Sequence, residues 1–234
     1  MPSLYGPRIV TNGLVLYLDA GNNKSYPGSG NTWFDLSGNN NNGTLTNGPT
    51  FSSSNGGSIV FDGVDDVCIS SNNMGITGDI NATLSVWVNF ITISSAWNCQ
   101  IMFGDPFTVR GGFAIFEGAD AGAGGLFLGF YGGKGAYITS VVTTNTWYNI
   151  VATKSSGIIS SSNTKLYLNG NALSLTFNCI GETVNAQNNK LRVCNDQADE
   201  TGNSNIALAM AYNRALSATE VAQNYNALKA RFGL

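Results

Sequence analysis

Ala82-Thr83-Leu84-Ser85-Val86-Trp87-Val88-Asn89-Phe90 is the stretch whose reading decides the fold. Leu84, Val86 and Val88 recur at period two, the spacing of a β-strand that lays one face on a core. Outward from it, short apolar runs of the same kind alternate with Gly, Asn, Ser and Thr. They cover residues 14–18, 58–61, 67–70, 101–103, 113–116, 126–131, 137–142, 147–153, 165–168, 190–194 and 205–212. Many short strands punctuated by turn residues predict an antiparallel sandwich. Asn169-Gly170, directly after one run, predicts a tight hairpin, because a type I′ turn needs two residues with positive φ. One helix is expected over about 217–231. Ser217 and Glu220 form a Ser-x-x-Glu capping box, Val221, Tyr225 and Leu228 follow at helical spacing, and Gly233 stands past the last turn.

Length and composition agree with one all-β domain. The chain has 234 residues, enough for a single sandwich core. Charged residues are only 11%, against about 25% in ordinary soluble domains. Asparagine, at 30 residues, outnumbers the 25 charged ones (11 basic plus 14 acidic). The surface is therefore expected to rely on amides, hydroxyls and glycine backbone. The net charge of −3 and pI near 4.8 argue against nucleic acid or an anionic membrane as partner. The absence of histidine removes His-dependent triads and ordinary His-bearing zinc sites. Cys68, Cys99, Cys179 and Cys194 form no Cys-x-x-Cys pair; small buried hydrophobes or one or two disulfides both fit. No secretory signal and no membrane span is expected. Three segments read as loops: 21–47, the glycine-rich 118–135 and the Ser-rich 155–163.

Two ends of the chain carry a family resemblance. Gly13-Leu14-Val15-Leu16-Tyr17-Leu18-Asp19-Ala20, Asp35-Leu36-Ser37-Gly38 and Phe61-Asp62-Gly63-Val64-Asp65-Asp66 stand near the start; Ala211-Tyr212-Asn213-Arg214-Ala215-Leu216-Ser217-Ala218-Thr219-Glu220 stands near the finish. With Thr83 to Val88, Thr146 to Val151 and Tyr167-Leu168-Asn169-Gly170 between them, the order resembles the laminin-G-like branch of the concanavalin A-like lectin/glucanase superfamily. The resemblance implies an all-β, two-sheet antiparallel jelly-roll sandwich with a short C-terminal α-helix, spanning residues 13–234 as one domain, with 1–12 as an N-terminal arm. Pro2, Tyr5 and Pro7 in that arm suggest docking on a neighbouring subunit. The opening and the closing Arg231-Phe232-Gly233-Leu234 are also similar to structural proteins of tailed phages of marine bacteria.

Three kinds of chemistry bear on these residues. Retaining glycosidases need two carboxylates about 5 to 5.5 Å apart. No glutamate here has an acid two residues away, and Glu117 with Asp120 sits on a glycine-rich loop, so no enzyme activity is expected. Laminin-G-like domains often hold calcium, which takes six to eight oxygen ligands. Asp62, Asp65 and Asp66 form one candidate set; Asp196 and Asp199, with Asn195 and Glu200, form another. Asp62 alone also suits a turn that bonds its own backbone. For a glycan, an aromatic platform with amides and acids is needed. Trp97 and Asn98 lead, with Asp105, Asp120 and Tyr131 beside them, while Trp33 and Tyr137 are further loop aromatics and Trp87 and Trp147 are core.

The functional expectation is a non-enzymatic virion surface protein, a capsid decoration or tail-fibre component. Its partners would be itself and other virion subunits, as a homo-oligomer with a trimer favoured by analogy, and a host surface glycan. The alternatives are an extracellular lectin-like adhesion module, calcium-dependent or not, and third a glycoside hydrolase with an unrecognised site.

Overall fold

A computed structural model of the chain describes residues 8–105, 107–179, 181–196, 198 and 200–234. In chain order the strands are β1 (Leu14–Asp19), β2 (Thr32–Trp33), β3 (Gly43–Thr46), β4 (Thr50–Ser52), β5 (Ser58–Asp62), β6 (Val67–Asn73), β7 (Ala82–Phe90), β8 (Trp97–Gly104) and β9 (Gly112–Gly118). They continue as β10 (Leu126–Gly129), β11 (Gly135–Ile138), β12 (Trp147–Lys154), β13 (Thr164–Leu168), β14 (Asn171–Ala172), β15 (Thr176–Phe177), β16 (Lys190–Val193) and β17 (Asn203–Tyr212), and α1 (Ala218–Leu228) closes the chain. The first sheet runs β14-β13-β12-β7-β17-β5-β4, with β1 also on β17; the second runs β15-β11-β10-β9-β8-β16-β6-β3-β2. Neighbouring strands are antiparallel throughout. The long β17 holds β5 along one half of an edge, with Ile206 opposite Ile59, and β1 along the other, with Leu208 opposite Asp19. The expected jelly-roll sandwich is the fold.

Period-two alternation decides what each sheet buries. Leu84, Val86 and Val88 of β7 share the inter-sheet core with Phe103, Phe113, Ile115, Leu126 and Leu128 of the second sheet. The intervening Trp87 points the other way, yet it is wholly buried. Its ring stacks on Phe232 at 4.2 Å and on Tyr225 at 5.8 Å. The outer face of the first sheet is therefore roofed by α1 and the turn after it, and β7 is buried on both sides.

The helix starts where the capping box places it. Glu220 N–H donates to Ser217 Oγ and Ser217 N–H donates back to the Glu220 carboxylate at 2.9 Å. Arg214 grips the same carboxylate with two guanidinium nitrogens at 2.6 and 2.9 Å and, as its largest influence, holds the Glu220 carboxyl down at about 2. The expected helix over 217–231 is shorter, because Lys229–Phe232 tighten into a 3-10 turn that ends on Gly233 at φ 74. Ser217→Ala should cost about 1 kcal/mol, read as a lower urea midpoint with unchanged slope.

Part of the expected arm belongs to the domain. Val10 is buried, its N–H donates to Asn224 Oδ1 at 2.7 Å, and its carbonyl accepts from the Tyr212 hydroxyl at 3.0 Å. Residues 8–12 thus dock on this chain's own helix, where the Gln223 amide also donates to the Arg8 carbonyl at 2.7 Å, and Pro2, Tyr5 and Pro7 lie outside the described residues. The segment 21–47 is not all loop: β2 and β3 lie in it, and Trp33 is wholly buried in the core. The run 126–131 stops as a strand at Gly129, and 137–142 at Ile138. The Ser-rich tip is tethered by Lys154, whose wholly buried ammonium donates to the Ser155 and Gly157 carbonyls and lies 3.8 Å from Asp79. All four cysteines are free and buried, and burial pushes the Cys68 thiol up to about 12. Among the described residues no helix is long and apolar enough to cross a membrane.

Candidate functional site

The outer face of the second sheet carries a second apolar cluster, made by the alternate positions of the same strands. On β9, Phe113 and Ile115 face the core while Ala114 and Phe116 face out; on β10, Leu126 and Leu128 face in while Phe127 faces out. A bulge in β8, between Cys99 and Ile101, leaves Cys99 and Met102 on the outer face and Ile101 and Phe103 inside. Trp97 stands at the start of β8. Its ring meets Phe116 edge-on at 5.2 Å and Phe127 at 5.0 Å. Tyr137 stacks over Phe127 at 6.3 Å.

Tyr131 completes this bed from an unusual backbone. It follows β10 with φ at 68°, a conformation that costs a bulky residue steric strain. The turn lays its ring across Gly112, where a Cβ would sit 2.5 Å from the ring carbons. It meets Phe116 edge-on at 5.9 Å. Gly112 is therefore needed for the close approach of an aromatic side chain.

These rings line a pocket of about 160 Å³, room for roughly five water volumes at about 30 Å³ each. Its walls are Trp97, Phe116, Phe127 and Tyr131, then the 132–134 turn, and opposite them Asp196, Ala198 and Glu200. A more open groove adjoins it, lined by Gly63, Ala96, Trp97, Asn98, Glu200 and Thr201. Glu200 is half-buried. Burial first, then the Asp196 charge, raise the Glu200 carboxyl to about 8. Asp196 is wholly buried, and its Oδ1 accepts from the N–H groups of Ala198 and Glu200 at 2.7 and 3.0 Å. Arg192 reaches the neighbouring Asn195 at 2.9 Å. Lys134, at the rim, turns to Glu182 at 3.6 Å.

Protonated Glu200 favours the folded state below the unfolded value of 4.5, and that stability is lost as pH rises through about 8. The wild-type melting temperature should therefore fall relative to Glu200→Gln across that window. Parallel curves for the two proteins would remove the buried acid pair.

The structure sorts the expected glycan residues. Trp97 and Tyr131 meet in the pocket. Asn98 lines only the groove, and its amide is committed to Glu117 at 2.7 Å. Glu117 itself is wholly buried and pins Gly124 N–H at 2.7 Å, so it is an anchor for the glycine-rich loop. Asp105 is away from the pocket. It lies beyond the far end of β8 from Trp97, roughly 25 Å along the strand at about 3.3 Å per residue, and it caps its own loop through Phe107 N–H and Thr108 Oγ1. Asp120 is exposed outside the pocket and accepts from Asn178 at 3.3 Å. Phe116, Phe127 and Lys134 are the lining residues the sequence reading passed over. Their signal was present as aromatics on the outward positions of β9 and β10.

The two acidic sets behave differently. Carboxylate oxygens of Asp62, Asp65 and Asp66 lie within 4.8 Å of one another. Val64 N–H donates to Asp62 Oδ1 at 2.8 Å, which is the expected turn, and Asp62 N–H donates to Asp66 Oδ2 at 3.0 Å. Asp66 is buried, with Oδ1 lacking a hydrogen-bond partner. Oxygen donors with one buried and unsatisfied fit a hard cation such as calcium, with backbone carbonyls and water completing the shell. If calcium binds there, at 100 times Kd it should add about 2.7 kcal/mol, or roughly 5 to 10 °C, over chelator-treated protein. An unchanged melting temperature would remove calcium from this turn. Asp196 Oδ1 accepts from the backbone N–H groups of Ala198 and Glu200, its Oδ2 is buried without a hydrogen-bond partner, and Asp199 lies outside the described residues. Asp196 and Glu200 both line the pocket.

The two antiparallel sheets packed face to face define the class as an all-β jelly-roll sandwich. Residues 61–222 match the family model of the concanavalin A-like lectin/glucanases superfamily, in its laminin-G group, and the chain belongs to that family. No curated protein sequence matches it. Among solved structures it is similar to domain 4 of AbnA, a GH43 extracellular arabinanase from Geobacillus stearothermophilus, in complex with arabinotriose: TM-score 0.64, 16% identity, 91% of this chain and 98% of that one. It is also similar to Trypanosoma rangeli sialidase, at TM-score 0.65 and 13% identity over 94% of this chain and 33% of that one. The binding domain of Paraclostridial Mosquitocidal Protein 1 matches at TM-score 0.63 and 17% identity, over 92% and 52%. This chain thus spans about a third of the sialidase and about half of the mosquitocidal domain structure.

Proposed function

We propose that this chain is a non-catalytic carbohydrate-binding module. The observation that carries the reading is the pocket lined by Trp97, Phe116, Phe127 and Tyr131 together with Glu200. Flat rings take the apolar face of a sugar, and a carboxyl takes its hydroxyls. The arabinotriose complex of the similar arabinanase domain supports the same ligand class. The non-catalytic part is supported by the pocket acids themselves. Asp196 is wholly buried with its Oδ1 taken by two backbone N–H groups, a poor mount for an acid that must reach a glycosidic bond.

The setting we propose is the surface of a phage particle, where the module contacts host glycans as a homo-oligomer. The resemblance of the two chain ends supports it. A glycan array with purified protein tests the ligand class. Chromogenic glycosides should remain unhydrolysed. Light scattering of the chelator-treated protein reads the oligomer, and a clean monomer would turn the assignment toward a free-standing adhesion module.

A further inference from the structure

The pocket and the groove beside it share two lining residues, Trp97 and Glu200. An aromatic face and a carboxyl stand together at their junction. The remaining pocket walls are rings, glycine backbone and the apolar Ala198, with Lys134 turned to Glu182. Beside Glu200 the pocket is lined by Asp196, wholly buried, with Oδ1 accepting from two backbone N–H groups and Oδ2 without a hydrogen-bond partner.

Resting on the carbohydrate-binding reading, we propose that Glu200 is the specificity-determining residue of the site. It pairs with hydroxyls of a neutral sugar whose ring lies on Trp97, and the site excludes acidic sugars. Asp196 is a positioning residue whose carboxyl adds to the exclusion. A sugar carboxylate entering here would meet two carboxyls, one of them wholly buried, and acids brought together repel. A hydroxyl meets no such barrier, because it can donate to or accept from the carboxyl.

Two carboxyls stand together in this wall, those of Glu200 and of wholly buried Asp196. Glu200→Gln leaves the Asp196 carboxyl in place. Asp196→Asn leaves the Glu200 carboxyl in place, still raised first by its burial. Only the double variant has neither carboxyl. Asparagine at 196 retains an oxygen for the Ala198 and Glu200 N–H groups, so the loop should hold.

The experiment is calorimetric titration with neutral arabino-, gluco- and galacto-oligosaccharides, and with sialylated and uronic-acid counterparts, after an array of the same sugars. The expected result is binding of a neutral sugar and no binding of acidic ones. Glu200→Ala should weaken the neutral sugar about tenfold or more, and Glu200→Gln should largely restore it. Asp196→Asn/Glu200→Gln, with neither carboxyl left, should admit acidic sugars. Acidic sugars binding the wild type as well as neutral ones would overturn this proposal and leave the carbohydrate reading standing. Neutral-sugar binding unaffected by Glu200→Ala, with the protein folded by circular dichroism, would likewise overturn it. No binding to any sugar on the array would overturn both.

Discussion

Trp97→Ala is expected to remove glycan binding while leaving the protein folded. Trp97 stands on the outer face of the second sheet and is only half-buried. It touches Phe116 and Phe127 by its edge and takes no part in the inter-sheet cluster. Losing it leaves the core between the sheets intact. In the site it is the aromatic face common to pocket and groove. A central aromatic anchor of this kind is worth about 2 kcal/mol or more, a weakening of roughly 30-fold. Titration of wild type and variant with the same oligosaccharide reads it. An unchanged affinity with a lowered melting temperature would make Trp97 a packing residue only and would move the ligand elsewhere.

Trp87→Ala is expected to produce the largest loss of stability. Trp87 is wholly buried under the C-terminal segment, stacked on Phe232 at 4.2 Å and Tyr225 at 5.8 Å. Trp147 also meets Phe232, at 4.8 Å. Removing the indole leaves a cavity between β7 and the roof and loosens the helix from the sheet. The cost should be about 3 to 5 kcal/mol, a fall in melting temperature of roughly 6 to 20 °C. Binding by the folded variant should survive, because the pocket lies on the opposite sheet. A loss under 1 kcal/mol by chemical unfolding would mean that the roof contributes little to the fold.

These two tryptophans show how far the linear sequence could be read. Trp87 sits in an alternating apolar run, and that alternation locates β7 and most of the other strands. A large aromatic inside such a run reads as core. Trp97 stands outside the runs, between Ser94-Ser95-Ala96 and Asn98, and reads as a loop platform; the structure places it at the start of β8. Asp105 and Asp120 were grouped with Trp97 because they are near in the chain. Strand geometry carries Asp105 to the other end of β8, and Asp120 turns to Asn178 instead. Lys134 and the outward Phe116 and Phe127 were passed over because each looks like an ordinary strand or turn residue in isolation.

Local physics is what the sequence by itself determined. Period-two runs made strands, Asn169-Gly170 made the hairpin, and the Ser217 and Glu220 box started the helix, since each depends on neighbours within a few residues. The Asp62 turn belongs to the same group, because its bond to Val64 N–H spans two residues. The site was decided only by tertiary structure. Trp97, Tyr131 and Glu200 come from three separate segments, and they meet because β8, β9 and β10 pair side by side and Glu200 lines the same pocket as their outward aromatics. Even the character of Glu200 is a tertiary property. The same carboxyl is an ordinary acid in the unfolded chain and a proton-holding one beside buried Asp196, because burial and a neighbouring negative charge exist only once distant segments are packed together.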